Sequence, residues 1–330
     1  MTSTLAPVRI STWHRPLLVS SGLMAALALV CGVGLAVDDR LLLGEPVWYK
    51  PLKFAFAFGL YAATLAWLLA RLNKGRRLAW WLGTVFAVTT VAEVGAITVQ
   101  AARGTVSHFN ADQTDPITLA LTPVLTLGVM VIVIAQLIIG VIVLIQRTGS
   151  PALNQAIRAG IGLAVAGMLI PVYWMVTEIN ERTVTDANGH AVPMYQGHGI
   201  GDPDGNGMPL THWSVTGGDF RVPHFFALHG IQILLILAAV LAALATRKAW
   251  LRSEQAQARL VRCTAYGYTG LVAVVTWQAG RGQSFAHPDT TTLAALAAVL
   301  LLTAAAVVTT VTTAKRAARA PKSLITPSSH

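Results

Sequence analysis

Ile117-Thr-Leu-Ala-Leu-Thr-Pro-Val-Leu-Thr-Leu-Gly-Val-Met-Val-Ile-Val-Ile-Ala-Gln136-Leu-Ile-Ile-Gly-Val-Ile-Val-Leu-Ile145 runs through the middle of the chain without one charged side chain. About 20 apolar residues of helix cross the roughly 30 Å hydrocarbon core of a bilayer. This stretch is long enough, and it lacks the strict alternation of a barrel strand. Working outward, seven more stretches qualify: 17–37, 51–72, 78–102, 157–178, 223–246, 259–280 and 291–313. A chain with 54% hydrophobic and 12% charged residues fits this reading. The expected fold is therefore all-α, a polytopic bundle of eight transmembrane helices. Residues 17–37 read as a retained anchor. Cys31 and Cys263 fall in or beside spans and offer neither a disulfide framework nor a cysteine metal cluster.

Loop charge sets the expected orientation. With the N-terminus inside, 17 of the 24 Lys and Arg residues lie on the inner side, so both termini are expected in the cytoplasm. The net charge of +10 then faces anionic lipid, and no nucleic-acid partner is needed to explain it. The bilayer itself is the expected partner. Acids and histidines show the opposite bias: Glu254 is the only inner acid, and of nine histidines only His14 and His330 lie inside. The chemistry is expected on the outer face.

Gln100-Ala-Ala-Arg103-Gly104 closes one span and Gln278-Ala-Gly-Arg281-Gly282 another, each followed by Ser, Phe and His. Upstream, Pro51-x-x-Phe54-Ala55 matches Pro223-x-x-Phe226-Ala227. Two matched pairs in the same order imply a duplicated unit. Residues 1–156 form the first four-span repeat and 157–314 the second. The two are parallel, about an axis along the membrane normal. Residues 315–330 read as a basic, disordered cytoplasmic tail. The large outer loop, 179–222, carries its own turn signals, including a β-hairpin around Asn188-Gly189, and reads as a lid or binding element.

Glu93, Gln100 and Arg103 share one helix face, with Glu93 roughly 15 Å below the outer end of its span. A carboxyl at that depth faces a cavity, pairs or is protonated. This makes Glu93 the candidate catalytic or proton-relay residue. Arg103 and Arg281, each followed by Gly, also suit plain helix C-termini. Lys50 and Lys53 open a span on the same outer face, where lysines also snorkel. Lys50, Lys53, Gln100, Arg103, Gln232, Gln278 and Arg281 form the candidate ligand-binding set, suited to a carboxylate, phosphate or haem propionate.

Five outer histidines follow: His108, His212, His224, His229 and His287. His224 and His229 point about 140° apart on their helix, so one metal is not easily gripped by both. His108, His224 and His229 are the candidate ligands for haem or a transition metal. Asp202-Pro-Asp204-Gly-Asn206-Gly207 matches half of an EF-type calcium loop, but Trp213 stands where the closing Glu belongs. Asp202, Asp204 and Asn206 are weaker candidates for calcium, and turn chemistry accounts for them equally.

Trp48-x-Lys50-Pro51-x-Lys53-Phe54, Gln100-x-x-Arg103-Gly104-x-x-Ser107-His108-Phe109-Asn110, Gly218-Asp219-x-Arg221-x-Pro223-His224-Phe225 and Leu228-His229-x-x-Gln232 resemble a group of bacterial multi-pass membrane proteins. That resemblance covers roughly residues 40–285. It implies a bacterial plasma membrane location and brings no activity with it. The four-plus-four plan is also similar to haem A synthase. That family pairs histidines across several spans, whereas here only one span holds them.

Two functions fit. In one, the protein is a redox or metalloprotein, with His229 and either His108 or His224 as ligands. Arg103 and Arg281 would hold propionates or an anionic substrate. In the other, the same groups bind an anionic or zwitterionic solute in a transporter or sensor, and Glu93 couples a proton.

Overall fold

The computed structural model describes residues 10–177, 179 and 181–319. It contains eight long helices: α1 Arg15–Val37, α2 Tyr49–Leu69, α3 Arg76–Ala102, α4 Pro116–Leu144, α5 Pro151–Thr177, α6 Arg221–Ala245, α7 Glu254–Gly280 and α8 Thr290–Arg319. Three two-stranded antiparallel sheets lie in the connections between helices. They pair β1 Leu41–Leu42 with β2 Glu45–Pro46, β3 Arg182–Thr185 with β4 Ala191–Met194, and β5 Gly199–Ile200 with β6 Gly218–Asp219.

Seven of the helices are long and apolar enough to cross a membrane, so this is a multi-pass helical membrane protein. α7 is the exception. Tyr266, Gly267, Tyr268, Thr269 and Gly270 dilute its apolar run, and Glu254, Arg259 and Arg262 occupy its first turns. It nonetheless packs between α5, α6 and α8.

The order of neighbours recurs along the chain. α1 packs on α2 and α3, α2 on α3, and α3 on α4; α5 packs on α6 and α7, α6 on α7, and α7 on α8. One apolar core joins α1–α4 to Ile157, Ile161 and Ala164 of α5 and Ile231 of α6. A second binds α5, α6 and α7 through Leu163, Leu234 and Val261.

Helix ends follow local chemistry. His14 caps α1 by accepting the Leu17 N–H, and Asp115 caps α4 by accepting the Thr118 N–H at 3.1 Å, with Pro116 at the first helical position. The matched pentapeptides end α3 and α7 in the same way. Gly104 (φ 73°) and Gly282 (φ 69°) adopt the left-handed conformation that a glycine permits. Thr105 N–H donates back to Gln100 O, and Gln283 N–H to Gln278 O.

The expected hairpin is present. Asp186 Oδ1 accepts the Asn188 and His190 N–H groups, and Gly189 sits at φ 86°. It packs Val184, Val192 and Met194 on Val106, latching the large loop to the α3–α4 connection. Ala111 N–H to Pro193 O and Tyr195 N–H to Phe109 O complete the latch. Residues 315–319, expected in a disordered tail, continue α8; 320–330 lie outside the described residues.

Candidate functional site

Lysine and glutamate side chains are costly to bury, so their partners show what a site is built for. At one end of the bundle, α2 begins with Lys50 and Lys53, one side of a cluster contributed by four segments. Lys53 is ion-paired with Glu45 and donates to Thr211 O. Arg221, opening α6, is paired with Asp219 at 2.7 Å and also donates to the Gly205 and His212 carbonyls. Asp219 is 2% exposed and accepts the Ser214 N–H as well.

Lys50 is different. Among the described residues it has no hydrogen bond or ion pair, yet it lies within the fields of Glu45, Lys53, Arg221 and Glu93. Lys50, His108 and His198 are each half-buried, walled by protein yet reached by solvent.

Glu93, 1% exposed, points from α3 toward this cluster, and its Oε1 lies 3.1 Å from His108 Nε2. His108 stacks on Phe54, one turn below Lys50, with ring centres 5.9 Å apart. Phe109 beside it takes φ 64°, a strained conformation for a non-glycine residue that fixes where His108 points. Burial, then the charge of Lys50, lowers the His108 pKa against the opposing pull of Glu93. His198 is held well below the usual range by burial and then by Arg221, Lys50 and His108. Both imidazoles are thus neutral at ordinary pH.

Glu93 Oε2 has no partner and faces Gly128 of α4, where a Cβ would lie 2.5 Å away. Thr90 and Phe86 continue the same face of α3 inward. Tyr61 stacks on Phe86, and Gln136 Nε2 donates to the Tyr61 hydroxyl at 2.5 Å. Thr90 Oγ1 and Gln136 Oε1 are, like Glu93 Oε2, buried without partners. A broken polar file therefore runs inward from Glu93 for about 10 Å.

Other sequence-predicted residues lie elsewhere. Arg103 pairs with Asp115 at 2.7 Å and donates to Gln100 Oε1 at 2.6 Å; Gln100 Nε2 donates to Thr118 Oγ1. Arg281 pairs with Asp289 and donates to Thr292 Oγ1, while Gln278 Nε2 donates to Ser284 O. Each set clamps its own helix end. Each arginine finds its acid just ahead of the next helix, in Asp115-x-x-Thr118 and Asp289-x-x-Thr292.

Gln232 of α6 donates to Thr64 of α2, and His229 Nδ1 is buried without a partner. His224 Nδ1 donates to Gly167 O at 2.7 Å. His212 meets the Tyr49 ring edge-on, and His287 Nδ1 donates to Val215 O. Among the described residues, no three His, Cys, Asp or Glu side chains gather to hold a metal ion. The calcium candidates face different partners: Asp202 accepts from Ser214 and Thr216, Asp204 pairs with Arg182, and Asn206 serves Gly44 O and His212.

Sequence reasoning missed Glu45, His198, Asp219 and Arg221 as site residues. The tight Asp219-x-Arg221 spacing ahead of an apolar run was the available signal for two of them. Nothing local marks His198, which the loop fold brings in. No protein-family model, curated protein or solved structure matches the chain.

Proposed function

We propose that this chain is an eight-span membrane protein of two parallel four-helix units that binds an anionic or zwitterionic solute at its outer face and couples binding to a proton on Glu93 and His108. The carrying observation is Lys50. Its cationic neighbours Lys53 and Arg221 are each neutralised by a dedicated carboxylate, while Lys50 alone is left for an incoming one. A carboxylate there accepts from the ammonium and from neutral His198, replacing lost water with charge-assisted hydrogen bonds. It also adds negative charge near His108, favouring a proton on that imidazole against the effect of its burial. That is the physical basis of coupling.

The repeat reading is supported by the recurring order of helix neighbours and by the matching Arg–Asp pairs that close α3 onto α4 and α7 onto α8. Rocking of the two units about the α2–α6 contact, at Gln232 and Thr64, is the motion that alternating exposure requires. The haem or metal reading has less behind it, because among the described residues no three His, Cys, Asp or Glu side chains gather around a common point.

The test is a thermal-shift screen of the purified protein against small mono- and dicarboxylates and amino acids, with wild type, Lys50→Met and Lys74→Met in parallel. A solute that stabilises wild type and Lys74→Met but not Lys50→Met supports the reading. Equal stabilisation of all three refutes it.

A further inference from the structure

At the opposite end of the bundle, the start of α1, the end of α2 and the start of α3 border a half-open cavity of about 310 Å³. Its walls include Trp13, His14, Arg15, Leu69, Arg76 and Trp80. This size reaches the lower range of small-molecule sites.

The chemistry of the walls is one-sided. Arg15 and Arg76 make no ion pair or hydrogen bond among the described residues, and segments 10–15 and 69–80 contain no acid. His14 adds no charge. Its Nδ1 accepts the Leu17 N–H and its Nε2 donates to Trp80 O at 2.8 Å, and burial lowers its pKa. The same two bonds tie α1 to α3 and hold the cavity open between them. α3 begins at Gly75 without a side-chain cap, so its first N–H groups point outward unclaimed. The indole of Trp80 meets that of Trp81 edge-on at 5.0 Å, in a position typical of aromatic side chains at a membrane interface.

We propose that this cavity is a binding site for the phosphodiester headgroup of an anionic phospholipid. Arg15 and Arg76 grip the phosphate, and the tryptophans bracket the glycerol region at the bilayer edge. Arginine suits this task because its planar fork matches phosphate oxygens in pairs. Basic pockets between transmembrane helices are general sites for such headgroups. A bound lipid would bridge the ends of α1, α2 and α3 and stiffen the first four-helix unit.

Native mass spectrometry of the purified protein with added lipid tests this. Wild type should retain phosphatidylglycerol in preference to phosphatidylcholine, a comparison that needs no variant. Arg15→Gln/Arg76→Gln should weaken phosphatidylglycerol retention by about thirtyfold, and Arg259→Gln/Arg262→Gln should not. Equal retention of the two lipids, or equal loss in both double variants, would overturn the site. If inorganic phosphate displaces the lipid at comparable concentration, the site belongs to a soluble phosphate and the lipid assignment fails.

Discussion

Gly128 is the sharpest local test of the Glu93 site. A Cβ at this position would stand 2.5 Å from Glu93 Oε2, where ordinary contact begins near 3.4 Å. The carboxylate is fixed on its other side by His108, 3.1 Å away, so it cannot retreat freely. Gly128→Ala should therefore incur an overpacking cost of about 1–3 kcal/mol. Higher helix propensity offsets about 1 kcal/mol of that, leaving a net loss of roughly 0–2 kcal/mol. Gly95 is the control: it lies on α3 two residues past Glu93, and a Cβ there meets nothing within 4 Å. Gly95→Ala should be neutral or stabilise by up to about 1 kcal/mol. Thermal unfolding in one detergent ranks the variants. Combining Gly128→Ala with Glu93→Ala should recover most of the loss, since the clashing group is gone. If Gly128→Ala is as stable as Gly95→Ala, or if Glu93→Ala gives no relief, Glu93 does not face α4 as described.

Asp115 should behave as a helix cap and clamp: Asp115→Ala costs about 1 kcal/mol in unfolding experiments. Hydrogen bonds from Thr118 and then Arg103 lower its pKa to about 2, so its contribution holds at neutral pH and fades as pH falls toward that value. Because burial keeps His108 and His198 neutral, the unfolded chain takes up protons that the fold refuses as pH drops below about 6.5. Stability should decline through that window, and His198→Asn should flatten the decline in a melting-temperature profile. Reporter fusions in the α3–α4 and α5–α6 connections should both report the extracytoplasmic side; a cytoplasmic signal from either would remove the proposed topology. Should the redox reading hold instead, purified protein would show a Soret band that His229→Ala abolishes.

The helices were legible because membrane spans leave a strong signal: unbroken apolar runs ended by Gly, Pro or basic residues. Predicted limits such as 78–102 differ from α3, Arg76–Ala102, by only a turn or less. Glu93 was equally readable, since a lone carboxyl inside a span demands a reason. Partner choice was not. Arg103 and Arg281 looked like ligand anchors, yet Asp115 and Asp289 claim them across loops whose closure no local pattern encodes. Lys50 and Lys53 are indistinguishable in sequence, but Glu45 reaches only Lys53 as an ion-pair partner. His198 enters the site through the β5–β6 pairing, a long-range event within a loop.

The coupling of solute and proton is measured most directly by calorimetry. A carboxylate that binds wild type is titrated in buffers of different ionisation enthalpy. The account predicts that binding draws protons from the buffer, that Glu93→Gln binds with this uptake lost, and that Lys50→Met does not bind. Binding to wild type without proton exchange, or undiminished binding to Lys50→Met, would contradict it.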